Sequence, residues 1–337
     1  MISMRKLGGT GPEVSAIGLG AMGFSGVYAP ADRAESIATI HAALEGGINL
    51  IDTGDFYGTG HNELLIAEAL RDRRRDDVVL SVKFGALRDP AGTFIGFDTR
   101  PAIVKNALAH SLNRLGTDYL DVYRPARLDQ NVPIEETIGA IAEMVQAGYV
   151  RHIGLSEVSA DTIRRANAVH PIVDLQIEYS LLSRGIEESI LPACRELGIA
   201  ITAYAVLSRG LIGGAWSKAN ASPSDFRLNA PRFQGENLDK NLALLEALNH
   251  IAEAKRATVA QIAVAWVLHR GDDIIPLIGS RTRAQLTDSL GALDVVLDAA
   301  DLAAIEAAIP KGSVAGERYN THGMASLDSE RGAALRN

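Results

Sequence analysis

The sequence predicts a (β/α)8 TIM barrel with an N-terminal hairpin, a long loop after the seventh strand and a C-terminal tail. Three observations lead there. Strand-like and helix-like patterns alternate along the chain until eight strands have been counted. Several strand-like pieces are apolar, β-branched runs that read as buried strands. Chemistry-bearing residues end several of these runs, and parallel barrels collect their active sites where the strands finish. A doubly wound open sheet would struggle to place eight such units in one domain. With 337 residues, 47% hydrophobic and 22% charged, the chain can bury a sizeable core, and residues 1–337 are expected to form one domain.

In order, residues 5–16 set Gly and Pro between two short extended pieces, which suggests a hairpin placed to plug one barrel end. The first strand spans 15–20. It leads into Gly18, Gly20 and Gly23, spaced G-x-G-x-x-G as in a dinucleotide fingerprint, but that fingerprint runs straight into a helix. Here residues 24–30 read as irregular and helical periodicity starts near Asp32, so the match is a decoy. Helix 32–46 then precedes strand 48–53, helix 61–73 strand 78–84, and helix 100–115 strand 119–125. Helix 134–147 precedes strand 150–155, helix 160–169 strand 173–178, helix 186–197 strand 199–204, and helix 258–270 strand 273–278. Residues 208–237, rich in Gly, Ser, Pro and Asn, read as a lid, because loops of that length are usually functional or disordered. After a further helix at 299–308, residues 312–337 are long enough to fold back over the barrel mouth, with fraying expected in the last ten.

The charge balance, 33 basic against 41 acidic residues, offers no nucleic-acid footprint beyond the run Arg71 to Arg75, which is expected to close a helix where cations suit the dipole. The single cysteine, Cys194, excludes an internal disulfide, fits a cytoplasmic protein, and reads as inert helix packing. No signal peptide or membrane span is expected. None of the eight histidines forms an H-x-H or H-E-x-x-H pair, so a metal-dependent hydrolase lacks support and no metal is expected.

The chemistry centres on INLIDTGDFYG, residues 48–58, a buried strand that ends in Asp52, Gly54 and Tyr57. Alone, a capping Asp beside a surface Tyr explains it. Lys83, which ends the run VVLSVKFG, changes the reading. A lysine fixed by a carboxylate and held against a tyrosine would stabilise the phenolate, letting Tyr57 give up and recover a proton. Asp52, Thr53, Gly54, Tyr57 and Gly58 resemble the D-T-A-x-x-Y-G signature of the aldo-keto reductases, and the resemblance spans nearly the whole chain.

That resemblance implies an NADPH-dependent reductase of aldehydes or ketones, with Asp52, Tyr57 and Lys83 catalytic. It brings Gly20, Ala21 and Met22 close to the nicotinamide and substrate. Ser156 and Gln176 would clamp the carboxamide, Tyr204 would stack on the nicotinamide ring, and Leu207 and Gly210 would bind cofactor. Glu157 stands where the family usually has Asn. After strand eight come Gly279 and Ser280, then Arg281 and Arg283, expected in the first turn of a helix. Cations are unfavourable at a helix N-terminus unless an anion binds there. In the family this region holds the adenosine 2′-phosphate, and Ser280, Arg281, Gln285 and Asp288 match the pattern, which favours NADP(H). The alternative is an NADP(H)-binding sensor or interaction protein, since the family includes channel-associated β subunits.

One position departs. The family usually reads D-L-Y-x-x-H-R-x-D on strand four and this chain reads DVYRPARLD, so Ala126 replaces a catalytic His while Asp121, Tyr123, Arg127 and Asp129 keep register. Arg124 shares a strand face with Ala126. Either Arg124 extends into the vacated space or it is held in a structural ion pair. A cation inside a barrel that already holds Lys83 needs a carboxylate, and no free one is evident from the sequence.

Overall fold

The computed structural model describes residues 2–214, 216, 217, 219, 221 and 225–331. Strands β1 (Met4–Lys6) and β2 (Glu13–Ser15) form the antiparallel hairpin. The first barrel strand is shorter than the 15–20 expectation: β3 covers only Gly18–Gly20, because Ser15 still pairs within the hairpin. Then follow α1 (Arg33–Glu45), β4 (Leu50–Gly54), α2 (His61–Ala69) and β5 (Val79–Phe84). A second hairpin, β6 (Ala86–Arg88) and β7 (Phe94–Phe97), interrupts the alternation before α3 (Pro101–Leu115). The alternation resumes with β8 (Leu120–Pro125), α4 (Ile134–Gln146), β9 (Val150–Ser156), α5 (Ala160–Val169), β10 (Ile172–Glu178), α6 (Ile190–Leu197) and β11 (Ala200–Tyr204). Two helices, α7 (Gly235–Lys255) and α8 (Val259–Leu268), precede β12 (Ile274–Ile278), and α9 (Arg283–Leu290), α10 (Ala299–Ala308) and α11 (Thr321–Ala325) finish the chain.

Strands β3, β4, β5, β8, β9, β10, β11 and β12 pair in parallel and close into a barrel, the (β/α)8 architecture read from the sequence. Its interior is layered. At the N-terminal end Leu50, Val79, Val122, Val173, Ala200 and Ile275 pack with Leu7 and Val14 of the hairpin, so the hairpin does plug that end. It is anchored by Arg5, whose Nη1 donates to Ile274 O at 2.6 Å, and by Gly9 N, which donates to Gly198 O at 2.7 Å. A cleft of about 670 Å³ there is lined by Arg5, Lys6, Glu13, Arg195 and Asp273 among others. It lies at the opposite end from the strand-end residues.

The next layer is ionic. Arg124 and Asp174 are fully buried and pair at 2.8 Å. Arg124 Nη2 donates to Ser81 Oγ at 2.7 Å, and Thr202 Oγ1 donates to Asp174 at 2.7 Å. Arg124 therefore has its carboxylate, on β10, and does not extend into the space above Ala126. Gly154 makes room for the pair, since a Cβ there would lie 2.5 Å from Asp174 Oδ1 and 3.1 Å from Arg124 Cζ.

Residues 71–75 lie beyond the end of α2 rather than inside it, and Arg75 pairs with Asp121 at 2.6 Å. Cys194 is buried in α6, where burial pushes its thiol up to about 12. Among the described residues no helix is long and apolar enough to cross a membrane, and no cluster could hold a metal. Of the expected lid, residues 215, 218, 220 and 222–224 lie outside the described residues, as do residues 332–337 of the tail.

Candidate active site

The loop after β4 sets the site. Asp55 N donates to Lys83 O at 2.9 Å and Tyr57 N to Gly54 O at 3.0 Å, which turns the chain so that the Tyr57 ring lies over Lys83, Nζ to ring centroid 5.1 Å. Gly58, at φ +58°, completes the turn in a backbone region that suits glycine. Buried Asn62 fastens it: its side chain accepts from Thr53 Oγ1 at 2.6 Å and donates to Ala21 O at 2.9 Å.

Asp52 is the hub beneath. Its Oδ1 accepts from Lys83 Nζ at 2.5 Å, and its Oδ2 accepts from Gln176 Nε2 at 2.7 Å and from Ser81 Oγ at 3.0 Å. Through Ser81 it joins the Arg124–Asp174 layer, so two cations and two carboxylates form one buried, charge-balanced network. Burial, with the nearby Arg124, pulls Lys83 down from its ordinary value against the opposing pull of Asp52. Burial and the Asp52 charge push the Tyr57 phenol well above its ordinary range, while Arg127 opposes that rise. Lys83 Nζ lies against the Tyr57 ring, as the sequence reading expected of that pair. Lys83 donates to Asp52, and burial holds Tyr57 as the protonated acid.

Around this centre, Ser156 is buried and its Oγ accepts from Arg127 Nη1 at 3.3 Å. Tyr204 Oη donates to Glu157 at 2.7 Å and lies 3.1 Å from Tyr319 Oη of the tail. Glu157 takes φ +53°, is fully buried, and is gripped by Arg318 at 2.8 and 3.0 Å. Burial opposes its ionisation, but the Arg318 guanidinium wins and holds its carboxyl below the usual range. The expected Asn position is therefore a tail anchor, reinforced by Ser329 Oγ at 2.7 Å. The tail crosses the mouth as its length suggested, and Arg209, in the 208–210 turn, stacks on Tyr319 at 4.3 Å. Leu207 and Gly210 flank that arginine in the same turn.

The eighth strand ends beside the first: an added Cβ on Gly20 would lie 3.9 Å from Gly279 Cα, and one on Gly23 3.0 Å from Arg281 Cγ. Half-buried Met22 belongs to the turn that follows Gly20. Ser280 is buried, and its Oγ has no partner among the described residues. Two expectations are corrected here. Helix α9 begins at Arg283 with Thr282 as its cap, so Arg281 precedes the helix. Arg283 is already paired with Glu35 at 2.9 Å, because the N-terminal turn of α1 packs alongside. Arg281 has no carboxylate partner among the described residues; its backbone N donates to Gln285 Oε1 at 2.9 Å. Asp288 is held by Thr258 and Gln261 of the α8 start, each at 3.2 Å.

Sequence reasoning passed over Arg127, Arg209, Arg318 and Tyr319. A signal existed for two of them, since Arg318 and Tyr319 form an adjacent Arg–aromatic pair in an otherwise polar tail.

The strand-end constellation of Asp52, Tyr57 and Lys83 inside a parallel barrel coincides with a match to the Aldo/keto reductase family model over residues 16–310. The chain belongs to the aldo-keto reductase family. It is 44% identical over 316 residues to probable aldo-keto reductase 1 of Glycine max, covering 93% of this chain and 91% of that protein. Among solved structures it resembles the glycerol dehydrogenase AKR11B4 from Gluconobacter oxydans (29% identity, TM-score 0.82, 90% of this chain and 94% of that one). It also resembles the aldo-keto reductase AKR11C1 from Bacillus halodurans (26% identity, TM-score 0.76, 96% and 99%). This aldo-keto reductase is accordingly an oxidoreductase of that type, in a family whose members generally use nicotinamide cofactors.

Proposed function

We propose that this protein reduces aldehydes or ketones with NADPH, Tyr57 being the proton donor. The observation that carries the reading is the Tyr57 ring lying over a Lys83–Asp52 ion pair at the mouth of the barrel. The residues present fit the cofactor. Among the described residues Ser280 Oγ is a buried hydroxyl without a partner and Arg281 beside it has no carboxylate, a donor pair suited to a phosphate. Ser156 and Gln176 would hold the carboxamide and Tyr204 would face the nicotinamide ring, with Gly20, Met22, Leu207 and Gly210 alongside. When bound, the nicotinamide supplies a hydride to the carbonyl carbon.

The chain's own residues then do three things. Tyr57 gives its hydroxyl proton to the carbonyl oxygen; the burial that raises its pKa keeps that proton in place until charge develops. Lys83, fixed by Asp52, stands ready to stabilise the phenolate that remains. The tail residue Tyr319 and the 208–210 turn meet over the mouth, where they would help to exclude water around the reacting groups.

Following NADPH absorbance across a panel of aldehydes and ketones tests the reading, and consumption that depends on the carbonyl is the expected result. Ala126, a methyl where a donor is implied, favours one alternative: an NADP(H) sensor. That alternative predicts tight cofactor binding without turnover across the panel.

A further inference from the structure

With Ala126 where the family usually has His, the donor that the resemblance implies for the substrate oxygen is missing, and the next residue carries a guanidinium. Ala126 N still donates to Phe84 O at 2.8 Å, which keeps the chain in line with the end of β5 that carries Lys83. The chain then turns, and Arg127 folds back: its Nη1 donates to Ala126 O at 2.6 Å and to Ser156 Oγ, on the next strand, at 3.3 Å. This lays the guanidinium across the ends of β8 and β9. From there its charge acts on both Tyr57 and Lys83. Among the described residues no carboxylate pairs with it. Glu157, the acid whose charge it feels, is committed to Arg318, and Arg124, the cation on the strand that precedes it, is committed to Asp174. A half-buried guanidinium with donors to spare, held against the backbone of residue 126, is an anion-stabilising group with no carboxylate partner among the described residues.

We infer that Arg127 takes the part vacated at position 126, donating a hydrogen bond from its guanidinium to the substrate's carbonyl oxygen while Tyr57 protonates that oxygen. This rests on the reductase reading above. As the hydride forms the new C–H bond, the C=O π pair moves to oxygen. Oxygen takes the Tyr57 proton, the carbonyl is reduced, NADPH is oxidised, and Arg127 ends the step unchanged, having held the oxygen as its charge grew. A guanidinium, unlike an imidazole, stays charged throughout the working pH range, so this polarisation does not fade as pH rises through neutrality. It also offers two parallel N–H groups, which suits a carbonyl flanked by a second oxygen. The charged or titratable groups around Tyr57 are Asp52, Tyr28, Tyr319, Lys83 and Arg127. Removing Arg127 takes away a cation that favours the phenolate, so the alkaline limit of turnover should move to higher pH.

The test compares the full-length wild type with Arg127→Met and Arg127→Lys, using a small aldehyde. NADPH affinity is read by fluorescence, and benzoate binding to the cofactor-free protein by calorimetry. Arg127→Met should lower kcat roughly a hundred-fold, well beyond any loss of NADPH affinity that follows from its contact with Ser156, and should move the alkaline limb upward. Arg127→Lys, which keeps the charge and is the less disruptive to folding, should retain part of the activity, and benzoate should bind Arg127→Met about ten-fold more weakly. An Arg127→Met enzyme with kcat within about three-fold of wild type, or a loss confined to NADPH affinity, overturns the assignment. A wild type that turns over no carbonyl defeats the reductase reading instead. In that event benzoate still decides for Arg127, since equal binding by wild type and Arg127→Met would show that its guanidinium is not an open anion site.

Discussion

Arg124 of β8 and Asp174 of β10 pair at 2.8 Å in the middle of the barrel, neither side chain touching solvent. Burial raises the Asp174 carboxyl above its ordinary value, while Arg124 and the Thr202 hydroxyl pull it back. Removing one partner of such a pair leaves a buried charge with nothing to balance it, whereas replacing both with apolar groups need not destabilise the fold. Asp174→Asn should therefore cost about 3–5 kcal/mol, and Arg124→Met with Asp174→Leu much less than the sum of the single changes. Denaturant titrations of the singles and the double check this.

Gly154 should be sensitive too, though less so than the ion pair. A methyl there would lie 2.5 Å from Asp174 Oδ1, so Gly154→Ala is expected to destabilise by about 1–3 kcal/mol through overpacking. An unchanged melting temperature would mean that the network has slack which its close contacts do not suggest.

The eight-strand barrel was legible because short apolar runs alternate with helical periodicity, and Asp52, Tyr57 and Lys83 because they end such runs. What escaped the sequence depends on register and on distant pairing. Arg124 meets Asp174 across fifty residues, and only the closed barrel sets those two strand positions opposite one another. Arg283 was read as a phosphate ligand because Glu35, 248 residues away, is nowhere near it in the chain. Helix α7 hides its buried stripe of Asn241, Leu245, Leu248 and Ala252. An Asn inside that stripe and Leu242 outside it blur the period. The β6–β7 hairpin was passed over, and the residues that close the mouth, Arg318 and Tyr319, sit in a tail whose polarity suggested only a cover.

Cofactor selectivity should rest on Arg281 alone of the two arginines, because Arg283 is bound to Glu35. Arg281→Ala is expected to weaken NADPH binding by about 1.5–3 kcal/mol while sparing NADH. Arg283→Ala should leave the NADPH/NADH ratio nearly unchanged. Fluorescence titrations of both cofactors decide the matter, and equal weakening of NADPH and NADH in Arg281→Ala would remove the phosphate assignment.

Stability should fall as pH rises through the range below neutrality, because of Asp55. Burial, with the nearby Glu63 charge, pushes its carboxyl up to about 7, and its Oδ1 has no partner among the described residues. The folded pKa lies above the unfolded one. The contribution of this group is therefore full below the unfolded value near pH 4, declines as the folded carboxyl is forced to ionise, and is gone above about pH 7. Asp55→Asn, neutral at every pH, should flatten the fall of melting temperature between about pH 5 and pH 7.5 relative to wild type. Parallel slopes for the two proteins would contradict the buried, protonated assignment.

The most direct measurement is the rate of NADPH oxidation with a reducible aldehyde by wild type and by Tyr57→Phe, each paired with a titration of NADPH affinity. Phenylalanine keeps the ring over Lys83 but has no proton to give. Turnover should fall by several orders of magnitude, roughly a thousand-fold or more, while NADPH binds as before. A Tyr57→Phe enzyme that reduces the aldehyde at close to the wild-type rate would contradict the account.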